Sequence, residues 1–123
     1  MIKISSTTFT ALALFATAAI TTPSQAKTNF DGSWSVLIVT QKGDCDRGYR
    51  YPVQINNGDV GYAGQAAFNV EGKVGPNGAI TVTVSRGSQS ASGSGRINST
   101  SGTGTWRTAG GDCSGVWTAE KRG

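Results

Sequence analysis

From Gly32 onward, apolar residues recur at every second position, and turn-forming residues interrupt them every eight to twelve positions. Alternation with period two places one set of side chains on each face of an extended strand. No stretch of this region carries a helical period, so the pattern predicts an all-β fold.

The first strand is expected near 32–40, with Trp34, Val36 and Ile38 on one face. Leu37 and Val39 occupy the other, so part of this strand is expected to be covered on both sides. Tyr49, Tyr51, Val53 and Ile55 alternate with Arg50, Pro52 and Gln54 and lead into Asn56-Asn57-Gly58-Asp59. That tetrapeptide reads as a hairpin turn because Asn and Gly tolerate positive φ. Pairing Ile55 with Val60 and Val53 with Tyr62 keeps the apolar groups on one face. A second turn at Gly75-Pro76-Asn77-Gly78-Ala79 pairs Val74 with Ile80, Gly72 with Val82 and Val70 with Val84. Asn69, Glu71 and Lys73 then share the opposite face with Thr81, Thr83 and Ser85, so both faces agree on the register.

Ser88 to Gly104 is mostly Ser, Gly and Thr, the composition of a flexible linker. It reads better as strand. Turning at Asn98–Ser101 pairs Ile97 with Gly102, Gly95 with Gly104 and Gly93 with Trp106. A further turn at Ala109–Asp112 pairs Thr108 with Cys113, Trp106 with Gly115 and Gly104 with Trp117. Each indole then lies against glycines, which leave it room and permit the bending a small barrel needs. Asn98-Ser99-Thr100 matches a glycosylation sequon but reads as an ordinary turn.

The expected strands lie near 32–40, 49–56, 59–63, 67–74, 80–87, 91–98, 102–108 and 113–121. Eight strands suit an antiparallel up-and-down β-barrel, with a β-sandwich as the alternative. Cys45 and Cys113 bear on the choice. With an even strand count the last strand runs antiparallel to the first, so Cys113 meets the loop after the first strand. With seven strands the two would be separated by about 30 Å at ~3.3 Å per residue, beyond disulfide reach. Closure also removes the free edges that invite aggregation.

The N-terminus changes the picture of where the protein works. Lys3, a 12-residue apolar run from Phe9 to Ile20, and small residues at Ser24 and Ala26 form a signal-peptide pattern, with cleavage after Ala26. The run is too short to cross the roughly 30 Å hydrocarbon layer. We therefore expect a leader over 1–26 and one domain over 27–123, periplasmic or secreted, with no membrane span and a disulfide between Cys45 and Cys113, the default in an oxidising compartment. Residues 27–123 carry ten basic and seven acidic side chains, dispersed rather than clustered, which argues against a nucleic-acid partner. A monomer is expected.

Histidine is absent, which removes Ser–His and Cys–His nucleophile pairs, His-ligated zinc and His-ligated haem. Asp31, Asp59, Glu71 and Glu120 show no spacing suited to paired-carboxylate hydrolysis. No enzyme activity and no cofactor are expected. Asp44 and Asp46 flank Cys45, and Asp112 precedes Cys113. A disulfide would gather three carboxylates that could hold Ca²⁺, against the plainer reading of a solvated loop neutralised by Lys42 and Arg47. Tyr49, Tyr51 and Tyr62, with Arg50 nearby, could line a barrel mouth, since Tyr joins an apolar body to a polar tip. The plainer reading makes them core and rim, and a barrel of this size is expected to be packed solid.

Gly32-Ser33-Trp34 at the first strand, with Lys121 and Arg122 closing the last, resembles the calycin arrangement of lipocalins and avidin-like proteins. That resemblance implies a barrel whose Trp34 plugs one end beneath a basic side chain; Trp106 and Trp117 are expected to be structural on their phasing against glycines. Gly32-x-Trp34-x-Val36 followed by Gly43-x-Cys45 resembles the start of small periplasmic barrel inhibitors of bacterial metalloproteases, in which the second Cys comes earlier. The whole chain resembles small uncharacterised exported proteins of Gram-negative bacteria. Three functions follow as expectations. The first is a barrel binding a small ligand or an exported protein at the Tyr49/Tyr51 end. The second is a hydrolase inhibitor that uses a loop or Lys27–Phe30 as a plug. The third is an adhesion-related structural protein using the Ser/Gly/Thr face of 85–105.

Overall fold

A computed structural model describes residues 28–123. The expected leader and cleavage site, with Lys27, lie outside the described residues.

Eight strands follow one another: β1 (Gly32–Lys42), β2 (Gly48–Asn56), β3 (Asp59–Tyr62), β4 (Asn69–Val74), β5 (Ala79–Arg86), β6 (Gln89–Ile97), β7 (Ser101–Thr108) and β8 (Ser114–Lys121). Each pairs antiparallel with the next, and β8 pairs with β1, so the sheet closes into an up-and-down barrel. The hairpin registers follow the period-two pattern: Ile55 faces Val60, Val74 faces Ile80, and Gly95 faces Gly104. The glycine-rich segment is strand throughout, with Trp106 between Gly93 and Gly115.

The two ends of the barrel differ. At one end are the β2–β3, β4–β5 and β6–β7 turns and both ends of the described chain. Asn57 (φ 52°) and Gly58 (φ 81°) make the first of these turns, a conformation that Asn and Gly adopt at least cost. Asn98 accepts hydrogen bonds from the Thr100 and Ser101 amides through Oδ1, at 2.9 and 2.8 Å, to shape the third. Trp34, only 2% exposed, closes this end. Its indole N–H donates to the Phe30 carbonyl at 2.8 Å, and Lys121 is its ladder partner on β8. Phe30 packs onto the core, so this part of the N-terminal segment is seated on its own barrel rather than projecting as a plug.

At the other end are the β1–β2, β3–β4, β5–β6 and β7–β8 loops. The Cys45–Cys113 disulfide ties the first of these to the last, with Cα atoms 6.1 Å apart. In the chain-entropy picture, a bridge across 68 residues stabilises the fold by about 4 kcal/mol.

Outward-facing Leu37 and Val39 are half-buried beside their ladder partners Arg50, Thr118, Gly48 and Val116. Among the described residues no second layer covers them, contrary to the expectation of cover on both sides.

Candidate functional site

Alternation decides what faces the axis. Trp34, Ile55, Val60, Ile80, Ile97 and Ala119 fill the closed half and are buried. Val36, Ile38, Tyr51, Val82, Val84 and Trp106 also face the axis, yet each is only half-buried. A side chain that points inward and still touches solvent marks open space within the barrel. That space is a cavity of about 350 Å³ that opens at the disulfide end and is lined mainly by apolar groups of both sets, reaching down to Trp34, Ile55 and Ala119. The expectation of a solid interior is therefore corrected.

The reason lies in β6–β8. Their inward positions include Ala91, Gly93, Gly95, Gly104 and Gly115, which supply wall but no filling. Trp117 lies flat over Gly93, Gly95 and Gly104 and fills the half nearer Trp34. Its indole N–H donates to the Ser94 carbonyl at 3.3 Å, and that of Trp106 donates to the Val39 carbonyl at 3.0 Å. Toward the mouth, Ala91 faces Val84 and Thr108 across its two ladders, and these small side chains leave the volume unfilled.

An aromatic cluster rims the opening. Tyr49 and Tyr51 stand two apart on β2, with ring centroids 4.5 Å apart. Phe68, at the end of the β3–β4 loop, meets Tyr51 edge-on at 5.1 Å and Tyr62 at 5.6 Å. The Arg86 guanidinium lies 5.3 Å from the Phe68 ring centroid, within cation–π range. Tyr49 is 39% exposed, the only large apolar-bodied side chain so displayed among the described residues. Burial, then the neighbouring Tyr49 and Tyr62 phenols, push the Tyr51 hydroxyl above its ordinary pKa, with Arg86 opposing and Asp46 adding to the rise. Tyr51 therefore stays a neutral hydrogen-bonding phenol at physiological pH.

The structure sorts the residues singled out from sequence. Tyr49 and Tyr51 line the cavity. Tyr62 does not; its ring supports Phe68 from the side, with Gly64 of the β3–β4 loop folded against its hydroxyl. Arg50 is on the outer surface, where Nη1 donates to Ser35 Oγ at 3.3 Å. Its position between Tyr49 and Tyr51 guarantees this, because neighbours along a strand face opposite ways. The cation at the mouth is Arg86 instead. Neither Arg86 nor Phe68 was singled out, although each extends an inward-facing series: Arg86 follows Val82 and Val84, and Phe68 precedes Val70.

Asp44, Asp46 and Asp112 do not make a metal site. Among the described residues no three His, Cys, Asp or Glu side chains gather so as to hold an ion. Asp46 is on the cavity side of its loop, its carbonyl accepting from Thr40 Oγ1 at 2.6 Å. The disulfide joins the loops without converging their carboxylates. Compared with protein families, curated proteins and solved structures, the chain matches none.

Proposed function

We propose that this chain is an exported, non-enzymatic barrel that holds a small apolar or amphipathic ligand in the open half of its interior. The observation that carries this reading is the set of axis-facing side chains, Val36, Ile38, Val82, Val84 and Trp106, that are only partly buried around a cavity of about 350 Å³. Small-molecule sites are concave, mostly apolar and about 300–1,000 Å³ in volume. Of the cavity-lining side chains, only Asp46 and Arg86 are charged at neutral pH. One carboxylate without an acidic or imidazole partner offers no acid–base pair, which supports binding over catalysis. The disulfide fits an oxidising compartment. Closure of the sheet leaves no free strand edge among the described strands.

The test is a titration with naphthalene, a neutral apolar probe, followed through the indole N–H signals by nuclear magnetic resonance. We expect saturable shifts in the wild type. In Ala91→Phe, with a ring placed in the cavity, we expect those shifts to vanish while the folded spectrum remains. Absence of shifts in the wild type, or equal shifts in a folded Ala91→Phe, would contradict the reading.

A further inference from the structure

We infer that the ligand is a small, single-tailed monoanionic amphiphile, with its apolar body in the cavity and its acidic head against Arg86. The inference rests on the reading of the open half as a ligand site and adds the ligand's size, polarity and orientation.

Size follows from volume. A cavity of about 350 Å³ stands at the small end of the range for ligand sites, which suits a short, single-tailed molecule. Orientation follows from the two ends. The closed end is sealed by Trp34 and the buried aliphatic residues beside it, with no charged side chain among them. A polar head buried there would lose its hydration without a charged partner, so it stays at the mouth.

The sign of the head follows from Arg86. It is the last residue of β5 and continues the inward series Ile80, Val82, Val84, so the pleat directs it toward the axis at the rim. The two-residue connection Gly87-Ser88, with Gly87 at φ 60°, fixes where the strand ends. Its cation–π contact with Phe68, 5.3 Å to the ring centroid, keeps the guanidinium beside the opening. Among the described residues no carboxylate is within ion-pair distance of it; the two ion pairs there are Lys73–Asp59 and Arg122–Glu120, both on the outer surface. The guanidinium fork therefore remains available to a carboxylate, sulfate or phosphate monoester, which it binds through charge-assisted hydrogen bonds. Asp46 stands at the same mouth and would favour a cation. A cation there, however, would meet the Arg86 guanidinium, which lies against Phe68 at the same mouth. The Tyr49 and Tyr51 hydroxyls can donate further hydrogen bonds to an anionic head.

The probes are decanoate, 1-decanol and decyltrimethylammonium, which share one tail and differ in head-group charge. Each is titrated into the protein calorimetrically, below the concentration at which it aggregates. We expect saturable one-to-one binding of decanoate, with 1-decanol about tenfold weaker and the ammonium weaker still. Arg86→Gln should reduce decanoate to the level of 1-decanol and leave 1-decanol within about twofold, which also shows that the variant is folded. Arg86→Lys should keep part of the preference, and Arg50→Gln, on the outer face, should change nothing. Equal wild-type binding of decanoate and 1-decanol, tightest binding of the ammonium, or an unchanged preference in Arg86→Gln would overturn the anionic head while leaving the cavity as a ligand site. Failure of all three probes to bind would overturn both.

Discussion

At the scale of single residues, the barrel depends on pairing large side chains with absent ones. Trp117 occupies its place because Gly93, Gly95 and Gly104 carry no Cβ. A Cβ at Gly104 would collide with the Ser94 carbonyl oxygen and stand 2.5 Å from Trp117 Nε1. The backbone atom cannot yield, and the indole would have to leave its hydrogen bond to Ser94. Gly104→Ala is therefore expected to destabilise the fold by about 2–3 kcal/mol in urea denaturation. Gly61→Ala, where nothing stands within 4 Å, should change stability by no more than about 0.5 kcal/mol. Similar losses at both sites would contradict this account. The phasing of Trp106 and Trp117 against glycines was legible in the sequence because both obey the strand period. Arg50 is adjacent to the tyrosines in sequence, but alternation sends it to the outer face. Arg86 is the converse: a charge following a run of valines looks like a strand end, although its parity directs it inward.

At the scale of elements, the hairpins were legible wherever both faces of a strand agreed. Thr81 and Thr83 opposite Lys73 and Glu71 fix the β4–β5 register as firmly as Ile80 opposite Val74. The β5–β6 turn was less legible, since Gly87, Ser88, Gln89 and Ser90 are all turn-compatible and only the backbone shows that Gly87 and Ser88 make it. Thr28–Asp31 carries no strand period, and its role emerges from contacts. The Thr28 hydroxyl donates to Asp31 at 2.5 Å, and the Asn57 and Gly58 amides add hydrogen bonds, tying this segment to the β2–β3 turn. These bonds, Thr28's first, hold the Asp31 carboxyl below its ordinary value of 3.8. A lowered folded-state pKa contributes stability above the unfolded-state value and loses it as pH falls through the folded-state value. The stability difference between wild type and Asp31→Asn should therefore be steady near neutral pH and narrow below about pH 4, as read from denaturation curves at several pH values. A difference that stays constant into acid would show that these hydrogen bonds contribute nothing through the charge.

At the scale of the molecule, closure was legible through parity. An even number of alternating strands returns Cys113 to the end that Cys45 occupies, and the bridge forms there. Hollowness was not legible, because alternation states which residues face the axis and not how far they reach across it. The indoles of Trp34 and Trp117 floor the cavity, while Ala91 and its neighbours leave it open toward Tyr49, Phe68 and Arg86. An apolar cavity that is really empty of side chains takes up xenon. The most direct measurement is thus a crystal of the protein pressurised with that gas. We expect xenon density inside the barrel among Val36, Val84 and Trp106; an interior filled by side chains, with no xenon there, would contradict the account.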